Sequence, residues 1–136
     1  MAANSNVERL RHAYAAWHNT KGDASVWLDI LSDSIIMGSL GNGARGLDFS
    51  RTRVTREDAL AYFKDLARDW SMVHYRMGEF IAEGDRVAVL GECCWKHKHT
   101  GKVVTTPKAD FWRFENGVAV DYYEFYDTHQ AICACD

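Results

Sequence analysis

The stretch Trp95–Thr128, WKHKHTGKVVTTPKADFWRFENGVAVDYYEFYDT, decides how this chain is read. Thr100-Gly101 and Asn116-Gly117 are hairpin signals that separate apolar and aromatic runs. Asp110 and Glu124 are set into those runs. An acid among Trp, Phe and Tyr is costly to bury, so each is a turn feature, a surface residue or a working group.

The last hairpin determines whether the two acids can cooperate. With a strict two-residue turn at Asn116-Gly117, Glu115 pairs Val118, and Asp110 and Glu124 point to opposite faces. With a three-residue loop and Gly117 in the left-handed conformation, Phe114 pairs Val118 and Asp110 lies opposite Tyr122. Turn chemistry favours the second register. It puts Asp110, Trp112, Phe114, Val120, Tyr122, Glu124 and Tyr126 on one face, with Arg113 and Asp121 as an oppositely charged pair on the other.

Outward from this hairpin, period-two alternation predicts four long strands, Val73–Glu83, Arg86–His97, Lys102–Phe114 and Val118–Asp127. Their short joins make neighbours antiparallel. Upstream, Val7, Leu10, Tyr14 and Trp17 recur at helical spacing, and Asp23 can cap a short helix carrying Val26, Trp27, Ile30 and Leu31. Ser34–Leu40 is β-prone. Thr55 to Asp58 resembles a capping box and opens a third helix with Leu60, Phe63, Leu66, Ala67 and Trp70 inward. The expectation is an α+β fold over residues 1–136 as one domain, three N-terminal helices packed on a curved, mainly antiparallel sheet. A curved sheet roofed by helices is a cone, and its open end is a pocket.

A formal charge of −3 with no basic run argues against a nucleic-acid partner. No stretch is long and apolar enough for a membrane span, and Met1–Asn6 lacks the apolar segment of a signal peptide, so a cytoplasmic protein is expected. Cys93, Cys94, Cys133 and Cys135 fit no zinc spacing, and reduced thiols with no metal are expected.

In order and motif the chain resembles the SnoaL-like polyketide cyclase and ketosteroid isomerase-like group of the NTF2-like superfamily. The resemblance spans nearly the whole chain: the AAW helix, the Trp27 segment, the capped helix and the TGK…DFWRFENG…EFYDT hairpins. It implies the cone fold and a site inside it. Ketosteroid isomerases carry a protonated Asp before an aromatic-x-Arg-Phe run, which falls on Asp110 in ADFWRF. Their general-base Asp falls on Gly38, and their first-helix Tyr falls on Ala13, one residue from Tyr14. With two of three groups missing, steroid isomerisation of the known kind is not expected. SnoaL-type cyclases place an acid–base carboxylate in the last strand after an aromatic pair. That position is Glu124 after Tyr122-Tyr123, with Glu where the family usually has Asp.

His97, with Trp95 and Cys93, is given the inner face by alternation and by the family alignment, and would serve as an acid or proton shuttle near neutral pH. A solvated hairpin-tip histidine is the plainer alternative. Tyr14, Trp17, Met37 and Phe63 are expected to line the cone, with Trp95, Trp112, Tyr122 and Tyr126. Arg45, Arg51 and Arg53 read as a solvated loop.

The functional expectation is a cofactor-independent cyclase- or isomerase-like enzyme for a hydrophobic, enolisable carbonyl compound. Glu124 would accept the proton, and protonated Asp110 would donate to the enolate. The alternative is a non-catalytic small-molecule-binding or dimerisation module whose cone its own aromatics fill. The resemblance also implies pairing through the outer face of the sheet, where Phe111, Tyr123 and Phe125 would suit a homodimer.

Overall fold

The computed structural model describes residues 2–136, with side chains from Ser5 onward. Helix α1 (Ala2–Asn19) buries Leu10, Ala13, Tyr14 and Trp17, one stripe at helical spacing. It ends where Lys21 and Gly22 take positive φ and return hydrogen bonds to the carbonyls of His18 and Trp17. The segment expected as a second helix is a single 3-10 turn, Ala24–Trp27, capped by Asp23. Strand β1 (Leu31–Ser39) and a 3-10 turn (Asp48–Ser50) lead to α2 (Arg56–Asp69). Thr55 caps α2 by accepting from Asp58 N–H, while Asp58 accepts from Val54 N–H rather than from Thr55.

The buried stripe of α2 is Ala59, Tyr62, Phe63 and Leu66; Leu60 and Ala67, expected inside, are exposed. The stripe is turned by one residue because Tyr62 finds a buried hydrogen-bond partner that Leu60 cannot use.

Strands β2 (Trp70–Glu83), β3 (Arg86–His97), β4 (Val103–Glu115) and β5 (Val118–Phe125) form the meander. The sheet order is β1-β5-β4-β3-β2, antiparallel except that β1 runs parallel to β5. The chain then closes with α3 (Thr128–Ala134), a C-terminal helix that the sequence pattern did not disclose. Asp127, expected as a strand residue, is its N-cap and accepts from Gln130 N–H at 3.0 Å. The helices therefore sit at both ends of the chain, not as three before the sheet.

The last hairpin corrects the expected register and keeps its consequence. Asn116 (φ 52°) and Gly117 (φ 81°) form a two-residue turn and Glu115 pairs Val118. The strict turn should have split the acids, but a bulge at Val120 shifts the ladder between Arg113 and Phe114. Ala119 faces inward instead of Val120, and Asp110 is paired directly with Glu124. Arg113 pairs Asp121 on the outer side, with Nε donating to Oδ2 at 2.7 Å.

Irregularities between Met72 and His74 and between Met77 and Glu79 bend β2 over β3. At this bend Gly91 lies so close to β2 that a Cβ would stand 2.0 Å from the Arg76 carbonyl oxygen. Gly91→Ala should lower stability in urea denaturation by about 1–3 kcal/mol. Gly78→Ala, where a Cβ meets nothing within 4 Å, should change stability little. Equal midpoints for the two variants would show that the bend does not depend on this close approach.

Candidate functional site

Alternation along β4 turns Thr106, Lys108, Asp110 and Trp112 inward, and β5 turns Tyr122 and Glu124 toward them. Trp27 stacks on Trp112, with ring centroids 5.5 Å apart, and Trp17 packs edge-on against both Phe63 and Tyr75. These aromatic rings enclose a cavity of about 70 Å³. That is about half the roughly 150 Å³ of a cavity that takes up benzene, so the space suits a ligand no larger than one ring.

One end of the cavity is charged. Lys108, Asp110 and Glu124 are all buried, with Asp110 fully removed from solvent. Lys108 Nζ donates to Asp110 Oδ1 and stands 3.0 Å from Glu124 Oε1. Tyr14 donates to Asp110 Oδ2 at 2.5 Å, and Trp112 Nε1 donates to the Tyr14 hydroxyl at 3.0 Å. Tyr75 reaches the same Oδ2 at 3.3 Å. Tyr122 stands between the acids, 3.1 Å from Asp110 Oδ1 and 3.0 Å from Glu124 Oε1. Tyr62, from α2, donates to Glu124 across both oxygens at 2.9 and 3.1 Å.

The two carboxylates differ in what is left over. Asp110 Oδ2 accepts from Tyr14 and Tyr75 and Oδ1 from Lys108, while the single Tyr122 proton is shared between Asp110 Oδ1 and Glu124 Oε1. Glu124 Oε1 takes Tyr62, Tyr122 and Lys108, whereas Oε2 has only the longer Tyr62 contact. Glu124 Oε2 thus keeps a free lone pair, whereas Asp110 Oδ2 is taken by two hydroxyls and Oδ1 by the ammonium. The expected donor role of Asp110 meets three neighbours, Lys108, Tyr14 and Tyr75, that already donate to it.

Burial pushes the Asp110 carboxyl above the usual range; Lys108 pulls it back, and Glu124 raises it again. Burial opposes the Lys108 ammonium, but Asp110 and then Glu124 outweigh it, so Lys108 holds its proton well above the ordinary lysine value. Lys108 is therefore a fixed cation, not a free amine. The Cys93 thiol, also on the cavity wall, is pushed by burial up to about 12 and is no nucleophile at neutral pH.

Tyr14, Trp17, Met37 and Phe63 line the cavity as expected positions, as do Trp95, Trp112, Tyr122 and Tyr126. His97 is not among the lining residues: its ring packs edge-on against Trp70 at 4.9 Å, and its Nδ1 accepts from Thr100 N–H. Tyr14, one residue from the family's tyrosine position, nevertheless points at Asp110. Gly38 faces the outer side, where an added Cβ would lie 2.4 Å from the Tyr123 ring, so no side chain can reach inward from it. Arg53 is no loop residue either, being fully buried and paired with Asp65 at 2.8 Å. Lys108 and Tyr75 were missed. The K-x-D spacing of Lys108 and Asp110 carried the signal, since residues two apart in a strand share a face.

Burial first, and the carboxylates second, hold Tyr14, Tyr62, Tyr75 and Tyr122 protonated well above their ordinary value of 10.0. Lys108 is raised in the same sense from 10.5. For groups raised on folding, stability is present below the unfolded value and is lost as pH rises toward the folded one. Stability should therefore fall above about pH 10, by roughly 1.4 kcal/mol per pH unit for each such proton. In an alkaline titration followed by phenolate absorbance and circular dichroism, these four phenols should ionise only as the fold is lost. More than two of the six tyrosines ionising in the native state would show the cluster to be open to water.

Residues 10–122 match the family model of the SnoaL-like domain. An NTF2-like protein of unknown function from Burkholderia pseudomallei superposes with a TM-score of 0.82 at 23% identity, covering 96% of this chain and 97% of that one. A Jannaschia sp. CCS1 protein, provisionally assigned as a SnoaL-like polyketide cyclase, gives 0.77 at 17% identity over 98% and 92%. A Rhodopseudomonas palustris protein, provisionally assigned as an isomerase, gives 0.75 at 17% identity over 93% of each chain. No curated protein matches. At these identities the structures share the fold, which is that of NTF2-like proteins, and the family match carries the assignment: the chain belongs to the SnoaL-like domain family.

Proposed function

We propose that this protein is a cofactor-independent acid–base catalyst of the cyclase or isomerase type, acting on an enolisable carbonyl compound of at most one ring. The observation that carries this reading is the free lone pair of Glu124 Oε2, on a carboxylate that lines the charged end of an aromatic-walled cavity. Glu124 removes a proton from the carbon beside the carbonyl, and the electron pair passes to the carbonyl oxygen. The proton then returns at a second carbon, which is isomerisation, or the enolate carbon attacks another carbonyl, which closes a ring. The aromatic walls exclude water and hold the flat enolate against the carboxylate. The small volume supports a narrower choice than flat polycyclic substrates.

The same small, aromatic-walled cavity favours a second reading, a non-catalytic binding module. Under either reading we place a homodimer on the outer sheet face. Phe111, Tyr123 and Phe125 are exposed there, 48%, 38% and 41%, and pack against one another instead of a core. Light scattering at micromolar concentration should give twice the mass of one chain; a single-chain mass would refute the pairing.

The catalytic reading is tested by NMR-detected deuterium exchange beside the carbonyl of one-ring ketones and 1,3-diketones. The wild type should accelerate exchange, and Glu124→Gln should lower that acceleration by about 10²- to 10⁴-fold. No acceleration by the wild type across the panel would leave the binding module. Full acceleration by Glu124→Gln would remove Glu124 as the base.

A further inference from the structure

Lys108 is the one cationic side chain among the described residues that line the cavity. Its Nζ is held from three sides, by Asp110 Oδ1, by Glu124 Oε1 at 3.0 Å and by the Tyr122 hydroxyl at 3.3 Å. We propose that Lys108 carries the negative charge that develops on the ligand oxygen, and that Asp110 is a positioning residue that fixes the ammonium. This rests on the acid–base reading above and reassigns the anion-stabilising role within it.

The charge balance supports the assignment. With both acids ionised, Lys108 neutralises Asp110, and the remaining negative charge sits on Glu124. When Glu124 takes the ligand proton, a C–H bond breaks, an O–H bond forms on Glu124, and the charge moves to the ligand oxygen. The total charge of the cavity does not change. A neutral Glu124 no longer competes for the ammonium, so the N–H that faced Oε1 turns to the new anion. Two features place Lys108 ahead of the other donors. Tyr14 and Tyr75 direct their hydroxyls at Asp110, and Tyr62 directs its own at Glu124. Lys108 alone brings a full charge, and the cavity's low polarity magnifies its effect on a neighbouring anion. Asp110 is fully buried and its oxygens are engaged by Lys108, Tyr14 and Tyr75, so it is poorly placed to meet the ligand itself. Its place two residues along β4 from Lys108, on the same face, makes it the anchor.

Phenols of one ring and graded acidity are enolate mimics, and their binding reads the charge on the ligand oxygen directly. Wild-type affinity should rise with phenol acidity, and the matching methyl-substituted rings, which cannot ionise, set the baseline. In Lys108→Met the dependence on acidity should vanish, with acidic phenols losing tenfold or more and the non-ionisable rings unchanged. Lys108→Met alone leaves two buried carboxylates facing each other, so the double variant K108M/D110N, which keeps the net charge, is measured beside it. Asp110→Asn should weaken the dependence without abolishing it, an effect that loss of packing alone would not produce. An undiminished dependence in K108M/D110N would overturn the role of Lys108 and leave the Glu124 reading standing. A wild type that binds the non-ionisable rings as tightly as the acidic phenols, or binds neither, would overturn both.

Discussion

Three charged side chains buried in one aromatic cone set the terms for the rest of this molecule. Lys108, Asp110 and Glu124 have lost their hydration, a cost of several kcal/mol for each ion unless partners replace the water. Asp110 and Glu124 lie opposite each other on paired strands, where two bare carboxylates would repel, and the Lys108 ammonium between them makes the pair tolerable. Four tyrosines direct their hydroxyls at the two carboxylates. Removing one member strands the others, which is why the cluster behaves as a unit.

The elements that carry these tyrosines are distant in sequence, so the cluster ties the fold together as well as forming a site. Tyr14 comes from α1, Tyr62 from α2, Tyr75 from β2 and Tyr122 from β5. The inward stripe of α2 is turned toward Glu124 by Tyr62, at the expense of Leu60, which a purely apolar stripe would have buried. The bulge at Val120 serves the same end, since without it the two-residue turn would direct Glu124 away from the cavity. Local rules for turn and helix are each obeyed here, and the buried polar cluster chooses among the outcomes they allow.

Gly38, where the resemblance to ketosteroid isomerases would put their general base, has no side chain and is closed from outside by the Tyr123 ring. The carboxylate of the last strand, Glu124, is the acid with an unused lone pair, and the acid of the middle strand, Asp110, is enclosed by donors. The two acids, alike in the alternating pattern, are thus made unlike by their neighbours.

Much of the fold was legible because it rests on short-range rules. Period-two alternation after Trp70, the Gly-containing turns, the Thr55 cap and the stripe of α1 specify their elements with no knowledge of the partner. Asp110 and Glu124 stood out as acids in aromatic strands for the same reason. What the sequence could not decide depends on contacts between distant segments. A 3-10 turn in place of a second helix and a C-terminal helix capped by Asp127 are short, and tertiary packing rather than propensity selects them. The bulge is one residue whose placement follows from pairing both flanks of β5 at once. His97 shares its strand face with Trp95, yet the curvature of the sheet carries it past the cavity to Trp70. Sequence alone determined which side chains were costly to bury; only the tertiary structure decided which of them met, because a charge in an apolar interior is placed by its partners and not by its position along the chain.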